Sequence, residues 1–443
     1  MIKKNLISTL LFCVVALGYS QKVDFKEFDL DNGLHVILHK DNTAPVVTVG
    51  VLYDVGGKDL GGDNNPERTG FAHFFEHLLF EGTENIKRGE WDKIEASNGG
   101  SGNAGTDYDK TYYYETYPSN SLETILWMES ERMLHPVIDQ TGVDTQNEVV
   151  KEEKRLRNDN APYGQLLYVI TENLFPNHPY GNKLIGEMED LDNATLEEFN
   201  AFFKKWYGPN NAALVIAGDI DIDDTKDLVK KYFKDIPRGN APERDFKKEE
   251  PITKSKKVEF YDSNIQIPAI IAAYRIPGFT ERESYVLNMV STYLSDGKSS
   301  KLYKKLVDEN KQALQVQAFN LALKDYGVYA LFALPIGDVS LDTLLTEMDE
   351  EVAKMKNELI SERDYQKILN KFENDFVSSN STSAGIASSL AEYFMIYGDV
   401  NLINTELETY KAITRQEIQD VVKKYLNPNQ RIEIHYLPKT VNQ

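Results

Sequence analysis

The stretch RTGFAHFFEHLLFEGT, residues 68–83, carries His73, Glu76 and His77 within little more than one helical turn. Four residues separate the two histidines, which makes them neighbours on one helix face with Glu76 beside them. Phe71, Phe74, Phe75, Leu78 and Leu79 fill most of the remaining circumference, so the spacing predicts a largely buried helix. Two imidazoles and a carboxylate in that setting need partners. One reading is a buried His–Glu hydrogen-bond cluster. The other is a metal site, and zinc suits it: two histidine nitrogens, a third protein ligand and water in the fourth position, with Glu76 facing the water. The metal reading gives all three polar groups a task.

A third ligand is sought on the segment DTQNEVVKEEKRLRND, residues 144–159. At 100° per residue Gln146, Val149, Val150, Glu153 and Leu156 share a face. Glu148, Glu152 and Lys154 point elsewhere. Glu153 is the one acid centred on that stripe, where an ionised carboxylate needs a cation. Geometry therefore selects Glu153 over Glu152, with a salt bridge to an Arg or Lys as the alternative to a metal.

The elements that position these groups follow from turn and periodicity signals. Asn65-Pro66-Glu67 reads as a helix start and Gly82 as its exit. Asn32-Gly33 sits between two alternating runs, a hairpin signal. Residues 44–57 and 211–221 read as buried strands, and helical patterns cover 66–98, 119–135, 142–158 and 194–206. Residues 235–256 lose periodicity and gather Pro, Gly and charge, the best linker in the chain. Beyond it a similar order of strands and helices restarts. The expected organisation is thus a signal peptide at 1–20, a domain over 21–234, a linker over 235–256 and a second domain over 257–443, the two domains related by duplication.

The signal peptide is read from Lys3 and Lys4, the apolar run Leu6–Leu17 and the small residues Gly18 and Ser20. Cleavage there removes Cys13, the only cysteine, so a transition metal must be held by His, Asp or Glu. Secretion places the chain in the periplasm or outside the cell. A net charge of −21 disfavours nucleic acid as a partner. No later segment has the apolar length of a membrane span.

With His73, His77 and Glu153 assembled, the chain resembles the M16 metallopeptidases, the pitrilysin or mitochondrial-processing-peptidase group of inverted zincins, to which H-x-x-E-H belongs. The resemblance extends over LLFEGTENI, GGSGNAGTDYDKTYYY, WMESERM, HPYGNKLIGEMEDL, YGPNNAALVIAGDID and, in the second half, YLSDGKSSKLYKKL. It implies an α+β fold of the LuxS/MPP type: two homologous domains, each a mainly antiparallel sheet flanked by helices. It implies one zinc per chain on His73, His77 and Glu153, Glu76 as general base, and endopeptidase action on peptides or unfolded segments. Asn103 and Ala104 would bind an extended peptide on an edge strand. Gln146 stands where the family usually has a glutamate supporting the zinc ligands. Val307 and Leu314 stand where self-sufficient members carry an Arg and a Tyr that reach the oxyanion. A heterodimer with a related subunit lacking the zinc motif is therefore expected, a homodimer being the second choice. A non-catalytic scaffold subunit is the competing function. His178, His135 and Tyr112–Tyr114 are read as loop, helix-end and strand-packing residues.

Overall fold

The computed structural model describes residues 22–61, 68–240 and 243–439. The signal peptide and the helix start expected at residues 65–67 lie outside the described residues. Eleven strands form two sheets: β1 (Lys26–Asp29), β2 (His35–Lys40), β3 (Val46–Tyr53), β4 (Ser101–Thr106), β5 (Thr111–Pro118) and β6 (Ala212–Gly218) in the first, then β7 (Lys256–Asp262), β8 (Ala269–Pro277), β9 (Ala313–Ala322), β10 (Tyr326–Pro335) and β11 (Ile432–Pro438) in the second. β1 and β2 are the expected hairpin, turning at Gly33 with φ of 88°.

The strand orders are β1-β2-β6-β3-β5-β4 and β7-β11-β8-β10-β9. In each, one parallel pair, β2 with β6 or β7 with β11, is followed by antiparallel neighbours. Apart from the extra β1, the second sheet repeats the first position for position. The duplication expected from element order is thus present as topology. The edge strand β4 corresponds to the edge strand β9.

Both faces of each sheet are covered, so the strands alternate between two cores. In the first sheet Val36, Val51, Leu214 and Ile216 face the helices Phe71–Leu78, Leu122–Leu134, Leu196–Trp206 and Ile222–Phe233. Ile37, Leu52, Val215 and Ala217 point the other way, onto Ile386, Ala387, Leu390 and Ala391 of the helix Ser383–Glu392. That helix comes from the second half of the chain. The loan is returned: Val169, Ile170 and Leu174 of the helix Leu166–Leu174 cover Ile271, Ala273, Val328 and Ala330 of the second sheet. The halves interlock rather than meeting through one linker. An ionic cluster locks the same seam. Lys58, 1% exposed, lies 2.7 Å from Asp109 and 3.0 Å from Asp325 of the second half, and the Tyr180 hydroxyl donates to Asp109 at 2.6 Å. His178, expected to be an ordinary loop residue, is buried against this cluster, 3.5 Å from Asp325.

The helical pattern over 66–98 resolves into two helices, Phe71–Leu78 and Trp91–Ser97. Arg68 pairs with Gly61 as an isolated bridge, which delays the first helix to Phe71. Gly70 precedes it at φ of 84°, and a Cβ there would come within 2.7 Å of Gly186, so the entry needs glycine on both counts. Among the described residues no helix is long and apolar enough to cross a membrane.

Candidate metal centre

The helix Phe71–Leu78 is held from behind by aromatic packing. Phe71 and Phe74 stack on Phe199 with centroids 4.8 and 4.7 Å apart, and Phe75 packs on Phe202 and Tyr207 at 5.4 and 5.2 Å. This fixes the roll of the helix and turns His73, Glu76 and His77 to the opposite side. There they line a cleft of about 560 Å³ together with Glu153 and β4.

Glu153 comes from the helix Gln140–Lys154, whose buried stripe differs from the expected one. Val143, Val150 and Lys154 are buried, whereas Val149 and Leu156 are exposed. The stripe is rotated, and the helix opens into a wider turn at Arg155–Asp159. Glu153 stands at the edge of the buried face, which aims its carboxylate into the cleft instead of the core.

His73 Nε2 lies 3.5 Å and His77 Nε2 3.3 Å from the same Glu153 oxygen, Oε2. The imidazole rings are 4.9 Å apart and tilted by 68°. One ligand atom from each of the three residues lies within 4.8 Å of the others, the one such group among the described residues. Zinc–ligand distances of about 2.0–2.2 Å in tetrahedral geometry place neighbouring ligand atoms about 3.3–3.6 Å apart. The two measured separations match that edge and exceed an ordinary hydrogen bond. The donor set fits a zinc ion.

The electrostatics agree with the fit. Burial, then the neighbouring His77, pushes the His73 imidazole down to about 4, so it is neutral at pH 7 and can offer a lone pair. The adjacent His77 imidazole, opposed by burial and aided by His73 and Arg157, holds the Glu153 carboxyl below its usual range. Glu153 Oε1 is ion-paired with Arg157 Nη1 at 2.6 Å. The alternative salt bridge is therefore real, but it uses the other oxygen and leaves Oε2 to the histidines.

Glu76 is placed differently. Its Oε2 accepts from the Thr106 hydroxyl at 2.6 Å, and burial raises its carboxyl above the ordinary range while that hydrogen bond works against the rise. It stands beside the three ligand atoms without joining them. Thr106 was not expected in the site; it lies two residues beyond Ala104 on β4, the period that returns a strand to the same face.

β4 is the edge of the first sheet. Asn103 and Ala104 both line the cleft, and Asn103 Oδ1 accepts from the Ala104 N–H at 2.9 Å. That N–H is directed away from β5. Gln146 is not bonded to either histidine among the described residues; its Nε2 donates to Glu81, which also accepts from Arg88. Its Oε1 and His73 Nδ1 are both buried without a hydrogen-bond partner among the described residues. Leu314 is 51% exposed on β9 and Val307 packs against the second core, so neither offers a donor.

Residues 35–188 match the family model described as insulinase (peptidase family M16), and residues 193–372 match that of the peptidase M16 inactive domain. The chain belongs to the M16 peptidase family. The zinc protease PqqE of Helicobacter pylori is 27% identical over 98% of this chain and 99% of its own length. The crystal structure of a protease from Helicobacter pylori superposes with a TM-score of 0.88 at 27% identity, covering 94% of this chain and all of that one. The periplasmic protease PqqL from Escherichia coli shares the fold at 18% identity, with a TM-score of 0.78, over 94% of this chain and 48% of its own. This M16 chain thus corresponds in fold to half of a longer relative.

Proposed function

We propose that this M16 chain is a zinc-dependent endopeptidase acting on peptides or unfolded segments bound in extended form. The observation that carries the reading is the convergence of His73 Nε2 and His77 Nε2 on Glu153 Oε2 at 3.5 and 3.3 Å, with Glu76 held beside them by Thr106. His73, His77 and Glu153 would hold the ion. Bound there, zinc supplies Lewis-acid chemistry, acidifying water and polarising a carbonyl. Glu76 takes a proton from the attacking water and returns it to the leaving amine; its raised affinity for protons suits the second task. The free edge of β4 receives the peptide by strand addition, with the Ala104 N–H exchanging the Asn103 side chain for a substrate carbonyl.

On this reading residues 1–20 direct export to the periplasm or beyond, 21–234 form the zinc-bearing domain, 235–256 the linker and 257–443 the second domain. Val307 and Leu314 offer no oxyanion donor at those two positions, a deficit commonly worth a factor of hundreds in rate. A related M16 subunit supplies them in a heterodimer. Half-length correspondence to a longer relative supports pairing of halves. High specific activity from the single purified chain would exclude that assembly.

The test is metal analysis with a fluorogenic peptide assay on the wild type and on Glu76→Gln. The expected result is one zinc per chain in both and cleavage lost in the variant. Unchanged function in Glu76→Gln would favour a non-catalytic scaffold.

A further inference from the structure

We infer that Arg157 makes the cleft selective for substrates carrying an acidic side chain within two residues of the scissile bond; the inference rests on the peptidase reading above. Besides His73, Glu76, His77 and Glu153, the charged side chains lining the cleft among the described residues are Arg157 and Lys183, both cations. They offset the two carboxylates of the cleft, in a chain whose net charge is −21. Lys183 is committed: its Nζ lies 2.8 Å from Glu187 and 4.4 Å above the Tyr168 ring. Arg157 is not. Its side chain is 78% exposed, and its ion pair among the described residues is the single contact from Nη1 to Glu153 Oε1. The donors on Nε and Nη2 remain for a planar carboxylate, which a guanidinium recognises in bidentate fashion.

Position sets the register. Arg157 pairs with one oxygen of the carboxylate whose other oxygen faces the two histidines, so its guanidinium sits one carboxylate width from the point where the histidines converge. An extended peptide advances about 3.3 Å per residue, which limits the residue it can read to the first or second on either side. A divalent ion on Oε2 draws on the same carboxylate charge, leaving Arg157 less compensated in the loaded protein.

The experiment is a binding measurement on the zinc-loaded full chain carrying Glu76→Gln, which stops turnover. The probes are fluorescein-labelled peptides of Gly, Ala, Leu and Phe that differ only at one central residue: Asp, Asn or Lys. Anisotropy titrations at low salt should show the Asp peptide binding about three- to five-fold tighter than the Asn peptide, as for an exposed charge pair, and the Lys peptide weakest. The Asp-to-Asn ratio should fall to about one on adding Arg157→Gln, survive in part with Arg157→Lys, and shrink as salt rises, while zinc per chain stays constant. Equal affinity for Asp and Asn peptides, binding of none of them, or a preference that survives Arg157→Gln would overturn the inference. The peptidase reading is judged separately by turnover with Glu76 intact, so a chain that cleaves without acid preference refutes this inference alone.

Discussion

Thr106→Val tests how Glu76, the proposed general base, is held. The Thr106 hydroxyl donates to Glu76 Oε2 at 2.6 Å in a half-buried site, a hydrogen bond to a charged acceptor worth about 1.5–3 kcal/mol. Valine keeps the shape and removes the donor. The hydrogen bond favours the ionised carboxylate and opposes the upward push of burial, so its loss raises the Glu76 pKa further. Glu76 accepts a proton only when ionised, so activity is lost as pH falls through that pKa, and the loss moves to higher pH in the variant. One pKa unit corresponds to about 1.36 kcal/mol, which puts the displacement of the acid limb of kcat/KM at about one to two units. The assay is a pH series on zinc-loaded wild type, Thr106→Val and Thr106→Ser, with serine restoring the wild-type limb. An acid limb that stays in place or moves down in Thr106→Val would refute the reasoning.

Other perturbations address the scaffold. Lys58→Met leaves Asp109, 4% exposed, and Asp325 without their shared cation, and should lower stability by about 3–5 kcal/mol in guanidinium unfolding at pH 7. Burial pushes the Asp325 carboxyl up, but His178 and Lys58 outweigh it and hold the group well below the usual carboxylate range. Its contribution is present above the ordinary carboxylate pKa of about 3.9 and is lost as pH falls below it. Circular dichroism should therefore show wild-type secondary structure lost at lower pH than in Lys58→Met. Gln146→Glu removes the donor to Glu81 and sets two carboxylates together, so it should cost about 1–3 kcal/mol; a stabilised variant in a thermal melt would show that the glutamine is not matched to Glu81.

The candidate metal motif was legible because its three polar residues fall on one face of an otherwise apolar helix, and local periodicity needs no knowledge of the rest of the chain. Glu153 was legible for a partly mistaken reason. Val149 and Leu156 were expected inside but are exposed; the acid borders the buried stripe instead of centring it, and the cleft it faces is made by β4 from elsewhere in the chain. A duplication could be read from element order, but the strand order that the two sheets share could not. The exchange of covering helices could not, since Ser383–Glu392 reads as an ordinary amphipathic helix whichever sheet it covers. Thr106 and His178 acquire their places from contacts across the fold: Thr106 meets Glu76 thirty residues away, and His178 meets Asp325 across the seam between the halves. Gln146, expected to support the histidines, serves Glu81 because the rotated helix turns its amide that way.

Zinc-edge anomalous diffraction from crystals of the zinc-loaded full chain tests the central claim most directly. A single strong peak is expected about 2.0–2.2 Å from His73 Nε2, His77 Nε2 and one Glu153 oxygen, with Glu76 outside the coordination sphere. Zinc located elsewhere, or no peak between the two histidines at full loading, would contradict the account.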